Sequence, residues 1–336
     1  MLIDSFDTEQ RVLIVAEIGN NHEGDFTVAE ELIARAAEAG ADAVKFQTFQ
    51  TEHYVRPIDA DRFARLKQFE LTQDQFARLA ERARQAKVLF VSTPFDLASA
   101  RFLASHVSAL KIASGDNNFT PLLKTAAATG KPLILSTGLA DLATIRLAVA
   151  TIERVWSDTR RAAELAIMHC VSAYPVPPEQ ANLAAIATLR REFGLTVGYS
   201  DHASGIDAAV LSVAAGARIV EKHFTLDKQY SDFRDHQLSA DPPELRELVR
   251  RIREAEAMLG DGGKRVQPCE SDARLALRRS IAVGRDLPAG TILRWEHLTW
   301  LRPGDGLAPG RENELLGRRL TRDIKRGSLI GPHDVE

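Results

Sequence analysis

From Val12 to about Leu259 the chain alternates short β-branched or aliphatic runs with longer stretches whose apolar residues recur at helical spacing. Continuous apolar runs suit strands covered on both faces, and their regular alternation with amphipathic helices predicts a parallel sheet. The predicted strands are 12–16, 43–47, 88–92, 109–113, 132–136, 165–170, 196–199 and 218–224. Helices are predicted at 27–38, 74–85, 142–155 and 205–214, and a last one at 243–259 follows the eighth strand. Eight strands in about 250 residues fit an α/β fold of the (β/α)8 TIM-barrel type. The rival, an open doubly wound sheet, calls for a glycine-rich dinucleotide turn after its first strand, and AEIGNNHEG has no Gly-x-Gly-x-x-Gly.

An internal echo supports the barrel. AGADAVKFQ at 39–47 and AGARIVEKHF at 215–224 both pass from a helix end through Gly-Ala into a strand that finishes in polar residues. At 261–274 the composition turns glycine-containing, charged and aperiodic, which divides the chain into a barrel at 1–260, a linker at 261–274 and a terminal module at 275–336. That module carries its own repeat, RDLPAGTIL echoed by RDIKRGSLI. Its short apolar runs broken by Pro and Gly predict a small, mostly β unit that docks on something larger.

Composition narrows the function classes. Forty-three Lys and Arg against forty-six Asp and Glu, with both signs scattered, advertise neither a nucleic acid nor an anionic membrane as partner. No stretch has the length of a signal or spanning segment, so the expected location is the cytoplasm. The two cysteines, Cys170 and Cys269, form no Cys-x-x-Cys pair, so neither a structural zinc site nor a disulfide framework is expected.

Active sites of (β/α)8 barrels lie at the C-terminal strand ends, so the polar residues closing the apolar runs are the informative ones. They are Glu17, Lys45 and Gln47, Ser92 and Thr93, Lys111 and Ser114, Ser136, His169, Ser200 with Asp201 and His202, and Lys222 with His223. Any one of the hydroxyls could simply cap the helix that follows. Together, lysines and hydroxyls on one face suit a phosphate or carboxylate. His202 and His223 would end adjacent strands and could grip one divalent ion from one side, leaving positions open for catalysis. His169 is either a third ligand or a core histidine, and NHEGD at 21–25 reads as a strand-to-helix loop.

In chain order, AEIGNNHEGD, AVKFQTF, STPFD, LKIASGD, LILSTGL, MHCVSAYPVP, GYSDHASG and VEKHFT, then LRPGDGLAP, resemble the sialic acid synthases and their nonulosonic acid relatives. The terminal module resembles the antifreeze-like (SAF) domain these enzymes carry. The resemblance implies condensation of phosphoenolpyruvate with an N-acyl-mannosamine-type sugar and water, giving a nine-carbon 2-keto-3-deoxy acid and phosphate. It implies phosphoenolpyruvate contacts from Lys45, Thr93, Lys111, Ser114, Ser136 and Ser200, with Asp116 and Ser172 nearby. It further implies a divalent ion, manganese first and magnesium or cobalt next, on His202 and His223. Glu17, Gln47, Tyr174 and Asp235 would surround the reacting carbons and the sugar. Arg302 would meet the sugar's acyl group, contributed across a domain-swapped homodimer. Two departures stand out: Ser172 replaces the Asn of the sialic acid synthases, and YSDFRDHQLSADP differs from the commoner proline-glycine-rich segment near the sugar. The acceptor is therefore the open part of the reading, with neuraminic, legionaminic, pseudaminic and spore-coat-type relatives sharing the chemistry.

Two alternatives remain at this stage. One is another phosphoenolpyruvate-dependent 3-deoxy-ulosonate synthase acting on a phosphorylated sugar, which needs a second phosphate site that the strand ends do not offer. The other is a non-catalytic sugar-binding barrel, against which Lys45, Lys111, His202 and His223 argue.

Overall fold

The structure, a computed structural model, describes residues 1–161 and 163–336. It consists of two compact units, Met1–Gly260 and Asp261–Glu336. The first begins with a small hairpin, β1 (Leu2–Ile3) and β2 (Phe6–Asp7). Eight parallel strands follow: β3 (Leu13–Gly19), β4 (Ala43–Thr48), β5 (Leu89–Pro94), β6 (Ala109–Ile112), β7 (Leu133–Ser136), β8 (Leu165–Cys170), β9 (Thr196–Asp201) and β10 (Ile219–His223). They pair in sequence and close into a barrel, β10 lying beside β3.

The two-residue period of a strand sorts the apolar side chains into two layers. Leu13, Val15, Ala43, Val91, Ala109, Ile134, Ala166, Met168 and Ile219 fill the barrel interior, joined by Met1 and Ile3 of the hairpin. Ile14, Ala16, Val44, Phe46, Phe90, Leu110 and Ile112 belong to the larger core packed beneath the helices. Helix Phe26–Glu38 shows the matching stripe, burying Ala29, Leu32, Ile33 and Ala36. Its start is fixed by Asp25, whose carboxylate accepts from the amides of Thr27 and Val28. Asp96, Asp141 and Asp241 cap later helices in the same way, and Thr72 forms a capping box with Gln75.

Strand ends differ most from expectation. β3 runs on past Ala16 through Glu17 to Gly19, and β9 continues through Ser200 and Asp201. These polar residues interrupt the hydrophobic run but stay in the ladder: Glu17 pairs with His223 on one side and Lys45 on the other.

In the second unit, the segment expected as an aperiodic linker contains a turn at Pro268–Glu270 and a short helix, Ser271–Leu277, neither with a buried residue. Seven exposed residues are too few to display a helical period, and the Gln267 and Glu270 capping box is the main local signal. β11 (Ser280–Val283) and β12 (Leu298–Leu301) pair antiparallel over a core that includes Ile281, Leu293, Leu315 and Ile330. The two repeats meet as a pseudo-symmetric pair. Leu287 and Ile324, equivalent in the two motifs, exchange backbone hydrogen bonds of 2.9 and 2.8 Å. Asp286 accepts from the Arg326 amide at 2.8 Å, while its counterpart Asp323 accepts from the Ala289 amide at 2.7 Å.

Candidate active site

At the C-terminal strand ends the inward face changes from apolar to polar within one step of two residues. Val15 leads to Glu17, Ala43 to Lys45 and Gln47, Val91 to Thr93, and Ala109 to Lys111; Ile134 leads to Ser136, Met168 to Cys170, and Ile219 to Glu221 and His223. These polar residues line a cavity of about 390 Å³, together with Ser114, Ser172, Tyr174, Ser200, His202 and Asp235.

The cavity floor is a chain of alternating charge. Lys45 Nζ lies 2.6 Å from a Glu17 oxygen and 3.7 Å from Glu221. Lys111 Nζ lies 3.3 Å from Glu221, whose Oε1 also accepts from the Ser200 hydroxyl at 2.9 Å. Thr93 accepts from Lys45 at 3.3 Å, and Gln47 Nε2 donates to Glu17 at 3.1 Å. All four charged side chains are almost wholly buried. Burial would raise the Glu221 carboxyl, but Lys111, Lys45 and the Ser200 hydroxyl outweigh it and hold it at about 2. Burial wins at Glu17, with Glu221 adding to it against Lys45, so Glu17 is the carboxyl that takes a proton more readily than usual. Burial also draws the Lys111 ammonium below its usual range, against the pull of Glu221, whereas Glu17 and Glu221 overcome burial to raise Lys45.

Beside this floor stand the two histidines. Their rings lie 5.6 Å apart, centre to centre, and the Tyr174 ring is 4.1 Å from His202. His202 Nδ1 is hydrogen-bonded to the Val171 carbonyl at 2.9 Å, which requires a proton on Nδ1 and leaves Nε2 a free lone pair. His223 Nδ1 is buried with no hydrogen-bond partner. Burial lowers both imidazoles to about 4, with His223 adding to the effect on His202, so both are neutral near pH 7 and available as ligands. Among the described residues no three His, Cys, Asp or Glu side chains are grouped to hold a metal. Any further positions on an ion would therefore fall to water or substrate.

The Ser114 side depends on a bare backbone. A Cβ on Gly138 would stand 2.5 Å from Ser172 Oγ and 2.6 Å from Ser114 Oγ, so only glycine lets the two hydroxyls converge there. The Gly138 amide donates to Ser114 Oγ at 3.1 Å.

Thus the cavity gathers Glu17, Lys45, Gln47, Thr93, Lys111, Ser114, Ser136, Ser172, Tyr174, Ser200, His202, His223 and Asp235. Asp116 does not line it. It sits half-buried at the end of the turn Ser114–Asp116, where burial raises its carboxyl to about 6. Arg302 belongs to the second unit, where its Nε donates to the Leu277 carbonyl at 2.9 Å.

Four strand-end residues named from the sequence lie behind the cavity face, because they fall on the odd step of the two-residue period. Ser92 shares a hydrogen bond with Thr48, and Lys222 pairs with Asp201 at 3.0 Å in a fully buried bridge. His169 takes its core role, with Nε2 hydrogen-bonded to the Ala181 carbonyl. Glu221 lies outside the strand-end set read from the sequence, although standing two residues before His223 places it on the same strand face. Tyr54, Phe95, Arg62 and Arg234 also line the cavity. They sit on a helix or in loops, where no strand period announces them. The two arginines add their cationic groups to those of Lys45 and Lys111.

A model of the NeuB family matches residues 32–264, and a SAF domain model matches residues 278–336. The chain is 42% identical to an uncharacterized protein of Methanocaldococcus jannaschii, MJ1065, over 94% of this chain and 92% of that one. It is 40% identical to an N,N'-diacetyllegionaminic acid synthase of Legionella pneumophila, over the same two shares. Among solved structures, the N-acetylneuraminic acid (sialic acid) synthetase of Leptospira borgpetersenii, in complex with citrate, superposes with a TM-score of 0.74 at 37% identity. That match covers 78% of this chain and 90% of the other.

Proposed function

Since the chain belongs to the NeuB family, we propose that it is a nonulosonic acid synthase, joining phosphoenolpyruvate to an open-chain N-acyl-mannosamine-type sugar with addition of water. The observation that carries this reading is the buried Glu17–Lys45–Glu221–Lys111 chain beside two neutral imidazoles in one cavity. It supplies an anion cradle, a proton carrier and a place for a cation within one small volume.

Lys45 and Lys111 bind the anionic groups of phosphoenolpyruvate, helped by directed donors from Thr93, Ser114, Ser136 and Ser200. His202 and His223 would hold a divalent ion, manganese first, which when bound supplies Lewis-acid polarisation of the sugar aldehyde. C3 of the enolpyruvate bonds to the aldehyde carbon, and a water oxygen adds at C2. One proton leaves the water and one reaches the new alkoxide. Glu17, whose proton affinity burial raises, is the group able to carry a proton between them, with Gln47 fixing its carboxyl. The tetrahedral C2 centre then becomes a ketone: its C–O bond to phosphate breaks, phosphate departs with the electron pair, and the hydroxyl at C2 gives up its proton. Tyr174, Arg234 and Asp235 stand on the histidine side, where the acceptor has to enter.

The chain is proposed to act in the cytoplasm as a domain-swapped homodimer, with Arg302 serving the other subunit's cavity. No helix among the described residues is long and apolar enough to cross a membrane. The proposed activity is tested by phosphate release from phosphoenolpyruvate with manganese and a panel of N-acyl hexosamines. Release that depends on one acceptor supports it, whereas no release with any acceptor favours a non-catalytic barrel.

A further inference from the structure

The turn that follows β3, Asn20 to Gly24, contacts two segments that carry cavity residues without lining the cavity itself. Asn20 Nδ2 donates to Gln47 at 3.0 Å, and Gln47 in turn donates to Glu17. Asn21 Nδ2 donates to the Phe224 carbonyl at 2.8 Å and to Ser239 Oγ at 3.0 Å. Phe224 and Ala240 form a bridge that closes the base of an excursion leaving β10. The excursion carries Arg234 and Asp235 to the cavity wall.

Glu23 grips the middle of this excursion. Its Oε1 lies 3.0 Å from His236 Nε2 and accepts from the Ser231 hydroxyl, and Ser231 Oγ accepts from the Phe233 amide at 3.0 Å. His236 is 1% exposed, and its Nδ1 shares a 2.6 Å hydrogen bond with Thr225. The Ser239 hydroxyl donates to the Asp235 carbonyl at 2.5 Å. The two residues facing the cavity are therefore flanked on both sides by side chains held from the turn. The same turn seats a second wall element. A Cβ on Gly24, which has a φ of +85°, would stand 2.1 Å from the Gln68 carbonyl oxygen of the helix Ala60–Phe69, which carries Arg62. Phe69 at that helix's end meets Phe233 edge-on at 5.2 Å.

We propose that Glu23 is a positioning residue: through His236 and Ser231 it fixes the Arg234–Asp235 segment, and so sets the affinity for the acceptor sugar but not for phosphoenolpyruvate. The proposal rests on the functional reading above in taking Arg234 and Asp235 as the acceptor-side wall. Its physical basis is that a single buried imidazole, with both nitrogens committed, ties the middle of the excursion to the turn, whereas Asn21 holds only its two ends, at Phe224 and Ser239. Lys45 and Lys111, by contrast, sit on β4 and β6, whereas the side-chain hydrogen bonds of Glu23 go to Ser231 and His236.

Two variants and two measurements test it. Glu23→Ala removes both hydrogen bonds, while Glu23→Gln keeps an acceptor oxygen for the His236 and Ser231 protons. In Glu23→Ala the acceptor KM should rise roughly 10-fold, as for loss of a hydrogen bond to a charged group, with the phosphoenolpyruvate KM within about two-fold. Glu23→Gln should recover most of the loss. Hydrogen exchange, which needs no substrate, should show faster exchange of the 225–239 amides in Glu23→Ala and unchanged protection in the barrel strands. A common rise in both KM values, a fall in kcat alone, or unchanged exchange at 225–239 would overturn the proposal. If the wild type turns over no acceptor, the functional reading fails, and the exchange measurement still decides whether Glu23 holds the segment.

Discussion

Replacing Lys111 with Met separates what the buried charge chain does for stability from what it does for phosphoenolpyruvate. Lys111 and Glu221 lie 3.3 Å apart with side chains 4% and 6% exposed. Without the ammonium, the cation nearest Glu221 is Lys45, at 3.7 Å and already 2.6 Å from Glu17. Breaking a buried pair in this way costs about 3–5 kcal/mol, since one charge is left out of water with no adequate counterion. For a unit of this size that is a fall in Tm of roughly 6–20 °C. Adding Glu221→Gln removes the orphaned charge, so the double variant should recover most of the lost Tm. It should not recover ligand affinity. The Lys111 charge-assisted bond to the anion is worth about 1.5–3 kcal/mol, so both variants should bind phosphoenolpyruvate roughly 10- to 150-fold more weakly. Differential scanning calorimetry without ligand and titration calorimetry with phosphoenolpyruvate read the two quantities separately. A double variant as unstable as the single one, or one that binds phosphoenolpyruvate within two-fold of wild type, would refute the reasoning.

Three further predictions follow from the same geometry. His202→Ala and His223→Ala should each abolish turnover with near-native circular dichroism, and a chelator should stop the wild type until manganese, cobalt or magnesium is restored; a chelator-indifferent enzyme would remove the metal assignment. His22, buried with Nδ1 accepting from the Gly24 amide, is lowered by burial from 6.5 to about 4. The unfolded chain therefore takes up this proton first, so the stability it contributes is complete above about pH 6.5 and is lost as pH falls toward 4, by about 3 kcal/mol. Urea unfolding of wild type and His22→Asn, which keeps an acceptor for Gly24, should converge by that amount between pH 7 and 4; parallel curves would show that the imidazole is not held neutral. Finally, inactive His202→Ala and inactive Arg302→Ala proteins, mixed under conditions of verified subunit exchange, should regain activity if the terminal domain serves the other subunit, and should not if it serves its own.

Much of the site could be read from strand ends because a closed parallel barrel ties sequence position to direction. Once Lys45 is taken as inward, Gln47 follows, and the same step applied to His223 yields Glu221. Polarity alone does not carry that step: Ser92, Asp201 and Lys222 are as polar as their neighbours but face the helices, where Lys222 and Asp201 satisfy each other. Arg62, Tyr54 and Arg234 were not legible, because helix 60–69 and the excursion after β10 are placed by contacts distant in sequence. Gly24 against Gln68 and Glu23 against His236 are two of these. In the second unit the repeat itself was the signal, and its two copies meet at Leu287 and Ile324. The helix Ser271–Leu277 left no comparable trace, being short and exposed on all sides.

The central claim is condensation with cleavage of the C–O bond of phosphoenolpyruvate, and it is tested most directly by mass spectrometry of products from phosphoenolpyruvate labelled with ¹⁸O in the bridging position. With manganese and a competent N-acyl-mannosamine-type acceptor, each phosphoenolpyruvate consumed should yield one nine-carbon 2-keto-3-deoxy acid and one phosphate carrying the label. Label retained in the keto acid, or phosphate released at the same rate without any acceptor, would contradict it.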